Sequence, residues 1–342
     1  MAFGMWRFAF DMVNQINSKT LWLACMQLRQ TTRGILFLVA GVSVFSGQDL
    51  IQKLISGGYP LYEAMVIRGL TSIPLLLLFA HFDGGVATLF SRGMGRMILR
   101  GLMMFVAYFS FYIALAGLSL PTTVALYYSS PLFIAVLSVA YLGEKVAPAT
   151  WVAVVVGFVG VLIMLRPGSA LFDWAALLPI LSGLTYGLSM IFARKIGVSE
   201  TAAAMAFWSN AVFLATATLM AGFLHSGAYA IETHPSLGFL TRGWITPTLP
   251  DLARMMACGV IAALGLWLLT QAYRIAPAST VAPFEYTGLI WSVLWGWTFW
   301  RDWPDAVGWI GIAVIAGAGL TVWWRERSAR SSVPVGRSSA AQ

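Results

Sequence analysis

The chain has 342 residues, of which 59% are apolar and only 10% charged, with a mean hydropathy of +0.80. A water-soluble domain of this length covers itself with far more charge, so the composition excludes an ordinary soluble enzyme or binding module and makes lipid the main solvent. The net charge of +8 falls in short loops and a tail, where membrane topology alone places it, and does not indicate a nucleic-acid partner.

Residues 1–33 form an N-terminal extension. Its longest apolar run, Leu21 to Met26, is too short for a signal-peptide core, and no small-residue cleavage site follows. Phe3, Trp6, Phe10 and Val13 recur at helical steps, which allows a short helix on the inner leaflet; a disordered tail, or a true start at Met26, are the alternatives. Beyond it, a hydrocarbon core about 30 Å thick requires roughly 20 apolar residues per span. Ten stretches qualify: Gly34 to Leu54, Leu61 to His81, Met97 to Leu118, Pro121 to Leu142, Ala149 to Leu165, Trp174 to Ile196, Thr201 to Leu224, Leu252 to Ile275, Ala278 to Phe299 and Asp305 to Trp324. The expected fold is therefore an all-α integral membrane protein with ten transmembrane helices, five in residues 34–166 and five in 174–325, followed by a cytoplasmic tail, 326–342, expected to be disordered from Ser328 onward. Most loops are short; Phe82 to Arg96 and His225 to Asp251 are longer, and the second reads as a tolerated insertion rather than a lid.

Positive charge sets the orientation, because cytoplasmic loops retain Lys and Arg. With the N-terminus inside, 15 of the 21 basic residues, Arg100 among them, lie in cytoplasmic segments. Both termini are then cytoplasmic. Cys25 precedes the first span and Cys258 lies in the eighth, so no disulfide joins them.

An internal repeat stands behind the five-plus-five division. Thr123-Val124-Ala125-Leu126-Tyr127-Tyr128-Ser129 matches Thr280-Val281-Ala282-Pro283-Phe284-Glu285-Tyr286 at an offset of 280 − 123 = 157, which also pairs Leu132 with Leu289 and Leu137 with Leu294. The charged ends, Glu144-Lys145 and Arg301-Asp302, correspond at the same offset. Five crossings leave the chain on the opposite side, so the second half enters the membrane upside down. Two inverted repeats enclosing a site at the midplane are a transporter signature.

The ten spans in two halves, the fourth ending Tyr141-Leu142-Gly143-Glu144-Lys145, the ninth running Ala282-Pro283-Phe284-Glu285-Tyr286 and a glycine-rich tenth resemble the EamA-type members of the drug/metabolite transporter superfamily, each half being one EamA domain. The resemblance covers residues 34 to 325 and departs from the family pattern at Trp300-Arg301-Asp302 and at the charged Asp49 of the first span. It implies a carrier of small metabolites in a bacterial inner membrane, with spans three, four, six, eight and nine around a central cavity. Substrate and direction do not follow from it.

Charges inside the bilayer are costly and mark function by default. Glu285 stands about 10 Å into span nine, and its repeat mate is Tyr128. It is placed to bind a cationic or hydroxylated group, or to carry a proton; a carboxyl hydrogen-bonded within the bundle is the alternative. Asp49 and Arg68 lie about 8 and 10 Å from the outer face on the first two spans, close enough in depth to pair, either as a structural lock or as a substrate or gating site. Lys53 and Glu63 are shallower and are expected to snorkel. Pro131 and Pro283, in the paired spans, are candidate hinges that free the carbonyls of Tyr127 and Ser279.

Within the spans that the resemblance places around the cavity, Tyr108, Tyr112, Tyr127, Tyr128, Tyr186, Trp267, Gln271, Tyr286 and Trp291 are candidates to bind an amphipathic solute, about half of them expected to face it. Trp295, Trp297, Trp300, Trp303, Trp323 and Trp324 read as an interfacial belt. Ala153 with Gly157 and Ala313 with Gly317 form small-residue faces for helix packing, or for a homodimer.

Enzyme signatures are missing: there is no His-Glu-x-x-His among His81, His225 and His234, no lysine follows a glycine, and no serine has glycines two before and two after it. No cofactor or metal is implied. The expected partners are a small-molecule substrate, membrane lipid and, as coupling ion, protons. An intramembrane enzyme or lipid-modifying protein is the rival reading, and it would need a converging nucleophile and base.

Overall fold

The computed structural model describes residues 30–143, 148–165, 173–231 and 233–331. Phe3, Trp6, Phe10, Val13, Cys25, Glu144, Lys145 and the tail beyond Ser331 lie outside them. Regular structure among the described residues is helical throughout. The first three helices are α1 (Gln30–Ile55), α2 (Leu61–Phe82) and α3 (Met94–Gly117). Next come α4 (Leu120–Tyr127), α5 (Ser130–Leu142) and α6 (Pro148–Leu165). After them follow α7 (Leu177–Ile196), α8 (Ala202–Leu224), the short α9 (Pro235–Thr241) and α10 (Leu249–Ile275). The chain then forms α11 (Ala278–Val281), α12 (Thr287–Trp295) and α13 (Ala306–Ser331). Among the described residues, seven helical stretches are long and apolar enough to cross a membrane; Val155–Met164 of α6 and Ala306–Ala318 of α13 are shorter apolar helices. Helix α13 continues to Ser331, into the region expected to be disordered.

Polar side chains cap α4, α8 and α10 at their first turns. Ser119 accepts the Thr122 N–H at 3.4 Å with Pro121 in the first turn of α4, Thr201 caps α8 through Ala204 at 3.1 Å, and Thr248 caps α10 through Asp251 at 3.4 Å.

Polarity is inside out. Leu36, Leu70, Leu102, Val152, Leu219 and Phe223 are exposed, whereas Gln48, Gln52, Glu63, Arg68, Arg100, Asn210 and Glu285 are buried. Such a distribution suits lipid outside and a polar interior. Arg100, counted from sequence with the cytoplasmic segments, is fully buried: its guanidinium donates to the Met205 carbonyl at 3.3 Å and to Ser209 and Thr270 at 3.2 Å each. Glu63 does not snorkel but accepts the Ile245 N–H at 3.1 Å, and Lys53 donates to the Leu115 and Leu118 carbonyls at 2.7 and 2.6 Å. Those carbonyls end α3 and lack intrahelical partners, so the ammonium suits them.

The two helices of the sequence repeat are both interrupted. The α4–α5 stretch breaks at Tyr128-Ser129, with Pro131 in the first turn of α5. The span expected over Ala278 to Phe299 is four pieces: α11, a 3₁₀ turn (Ala282–Tyr286), α12 and a π turn (Gly296–Trp300). Helices α5 and α12 restart at Ser130 and Thr287, and 287 − 130 = 157, the offset read from sequence. Both stretches end on a left-handed residue, Gly143 at φ +66° and Arg301 at φ +58°. Here 301 − 143 = 158, one more than 157, because a π turn absorbs one extra residue. Glu144 and Lys145, which the sequence pairs with Arg301 and Asp302, lie outside the described residues.

Helices α6 and α13 pack on each other where Gly157 approaches Ala318 and Gly160 approaches Ile315, within one chain. The 225–248 connection is anchored rather than loose: Arg242 donates to the Gly57 carbonyl at 3.0 Å, Tyr62 to the Arg242 carbonyl at 3.0 Å, and Phe239 of α9 is buried. At the other end of the bundle, Asp83 accepts the Ala203 N–H at 3.1 Å and Arg274 donates to the Gly197 carbonyl at 3.2 Å.

Candidate functional site

Where the two interrupted helices meet, the backbone leaves room. A cavity of about 630 Å³, the space at its mouth included, is lined by α1, α3, the α4–α5 break, α7, α10 and α12. It extends from Asp49, Ser46 and Trp295, near the end where α1 and α3 finish, to Tyr186 and Glu285.

Glu285 projects from the 3₁₀ turn and is 1% exposed. Three hydroxyls on three other helices donate to it: Tyr273 of α10 at 2.5 Å and Tyr186 of α7 at 2.7 Å to Oε1, and Ser130 of α5 at 3.3 Å to Oε2. A carboxylate can accept all three, which offsets the cost of taking it out of water. Close approach of α7 depends on Gly183, where a side chain would press on the Tyr127 carbonyl and the Ser129 hydroxyl. That carbonyl is the one whose partner Pro131 removes. Gly288 does the same for Tyr128, whose hydroxyl occupies the space a Cβ would take.

Aromatic rings form much of the remaining lining. Phe45 and Tyr108 stack with centroids 5.5 Å apart, Tyr127 meets Phe111 at 5.3 Å and Tyr186 at 5.5 Å, and Tyr128 packs on Tyr127 at 5.3 Å and Tyr286 at 5.7 Å. Asp49 is partly buried and faces the cavity; among the described residues it accepts no hydrogen bond and has no cation within 4.0 Å.

Of the residues singled out from sequence, Glu285, Tyr108, Tyr127, Tyr128, Tyr186 and Asp49 line this space. The others lie behind it. Tyr112 is buried and receives a hydrogen bond from Gln48; Tyr286 packs under Tyr128; Trp291 donates to Ser43 at 3.1 Å. Gln271 accepts from Arg274 at 3.3 Å, and Trp267 packs between Phe37 and Phe79 at 5.7 and 5.6 Å. Arg68 forms no ion pair with Asp49 within 4.0 Å; its guanidinium lies 4.8 Å from the Phe213 ring and 5.9 Å from that of Tyr108. Pro131 stands in the first turn of α5, and Pro283 in the 3₁₀ turn that carries Glu285. Trp295, assigned to the belt from sequence, lines the cavity, whereas Trp297 and Trp303 are exposed. Sequence reasoning missed Tyr273, Ser130, Phe45 and Phe111; no local pattern marks them, because only folding brings them to Glu285 or into the lining.

Among the described residues, an all-helical bundle with an apolar exterior surrounds a cavity with two carboxylates, the arrangement of a multi-pass membrane protein. Residues 32–166 and 173–323 each match the EamA-like transporter family, and the chain belongs to that family. It is 34% identical over 212 residues to a riboflavin transporter of Rhizobium johnstonii, covering 62% of this chain and 64% of that one. It is 29% identical to an S-adenosylmethionine uptake transporter of Rickettsia bellii, covering 86% of this chain and 94% of that one, and 26% identical to a pseudopaline exporter of Pseudomonas aeruginosa, covering 84% and 93%. A crystal structure at 16% identity superposes with a TM-score of 0.61 over 87% of this chain and 99% of the other, which supports the fold.

Proposed function

We propose that the protein is a secondary carrier of a small organic metabolite that alternates access to the central cavity between two inverted five-helix halves, 34–166 and 174–325, with both termini in the cytoplasm. Relatives that move riboflavin, S-adenosylmethionine and pseudopaline support the metabolite reading. The single observation behind the site is the buried Glu285 at the break of one repeat helix, hydrogen-bonded to Ser130 at the break of the other. Broken helices at a midplane site are how carriers place polar groups in lipid. In this reading α11 to α12 and α4 to α5 rock against each other about Pro131 and Pro283, and Glu285 and Asp49 exchange protons during the cycle.

The test is uptake into proteoliposomes, with riboflavin and S-adenosylmethionine tried first and further solutes chosen by thermal stabilisation of the purified protein. Glu285→Gln keeps the fold and loses at least about tenfold in rate; native kinetics in that variant remove Glu285 from the mechanism. A rate insensitive to an imposed pH gradient removes the proton.

A further inference from the structure

The cavity's charge is one-sided. Asp49 and Glu285 both line it, and among the described residues no Lys or Arg does. Glu285 is committed to three hydroxyl donors, whereas Asp49 accepts no hydrogen bond among the described residues, and Arg68, the cation that acts on it, lies beyond 4.0 Å. The guanidinium of Arg68 is fully buried against Phe213 and stays out of the lining, leaving the cavity side of the carboxylate open. An unpartnered carboxylate in a membrane-spanning helix is costly unless something completes it. Beside it stand Phe45 and Tyr108, 5.5 Å apart and 28° from parallel, with Trp295 nearby in the lining. Aromatic faces next to an acidic group recognise organic cations, which gain from the ring quadrupole as well as from the counter-charge.

We propose that the cavity binds an organic cation carrying a planar ring, with Asp49 as its counter-charge and the Phe45–Tyr108 pair as its stacking surface. This deepens the transport reading and rests on the same cavity. The site selects a fixed positive charge, such as a quaternary nitrogen or sulfonium, because such a group needs no hydrogen-bond acceptors and loses less on leaving water than a primary ammonium does.

The probes are N-methylquinolinium, the neutral quinoline and the anionic quinoline-2-carboxylate at pH 8, three solutes of similar shape that differ in charge. Calorimetric titration of the purified full chain in detergent gives N-methylquinolinium an affinity at least about tenfold above quinoline. Asp49→Asn closes most of that gap, and Asp49→Glu retains it. The proposal is overturned if quinoline or the carboxylate binds as tightly as the cation, or if Asp49→Asn binds the cation like the native chain. Should Asp49→Asn fail to fold, the native ranking of the three probes decides. The two readings separate in proteoliposomes: a cation that binds but is never carried refutes transport and leaves the site, whereas riboflavin uptake without cation binding refutes the cation site and leaves transport.

Discussion

Glu285 is held by chemistry that a single helix cannot supply. Its three donors come from α5, α7 and α10, so the carboxylate ties three helices together, and loss of one donor should register in the whole bundle. Tyr273→Phe removes the 2.5 Å contact without changing shape. A hydrogen bond to a charged group contributes roughly 1.5–3 kcal/mol, so this variant should lower the unfolding midpoint in detergent, while Tyr229→Phe, at a residue 65% exposed, leaves it unchanged; equal midpoints would mean that the contact carries no load. At this scale the sequence spoke through cost. Glu285 and Asp49 stood out because ionisable groups are rare in apolar stretches, and Tyr128 because it occupies the matching place in the other repeat. Tyr273 and Ser130 could not be found that way: they lie 12 and 155 residues from Glu285, and nothing in their neighbours separates them from other hydroxyl residues in apolar helices. Asp49 and Arg68 were placed at similar depth, but rotation about the helix axis, which sends Arg68 toward Phe213, is invisible to a depth count.

Elements were legible in proportion to how regular they are. The long apolar helices show in hydropathy alone, whereas the departures from α-geometry, where the cavity forms, do not. Proline told of a missing N–H at 131 and 283, but not that one break would be a bend at Tyr128-Ser129 and the other a 3₁₀ turn. The π turn at Gly296–Trp300 adds one residue without changing apolar content, so hydropathy does not show it. The left-handed caps give an element-scale prediction. Gly143 has φ +66° and no atom within 4 Å of where a Cβ would sit, so Gly143→Ala meets only backbone strain, about 1 kcal/mol. Gly222 in α8 also has open space around it but ordinary helical geometry, and Gly222→Ala should instead gain roughly 0.5–1 kcal/mol. Chemical or thermal unfolding of the two variants checks the opposite signs; the same sign in both would show that the cap does not act through its backbone conformation.

For the whole molecule, composition settled the solvent, and the structure accords with it through exposed leucines and valines over buried Gln, Glu and Arg. Topology is the next level up. Arg242 of the 225–248 connection bonds to the turn between α1 and α2 and to Tyr62 in the first turn of α2, and Asp83 bonds to the start of α8, so the two groups of connections lie at opposite ends. In a variant lacking Cys25 and Cys258, a cysteine at Phe90 should react with impermeant thiol reagent from the cytoplasmic side and one at Tyr229 from the other. Labelling of both from one side would overturn the inverted arrangement. Such an arrangement also gives the tyrosine-bound carboxylate a second meaning. Glu285 borders the chamber and at the same time fastens α5, α7 and α10, so a guest that claims it must first strip away phenolic donors. Under the proposed carrier reading, occupancy would then be felt at the fastening itself, with no relay of intervening side chains.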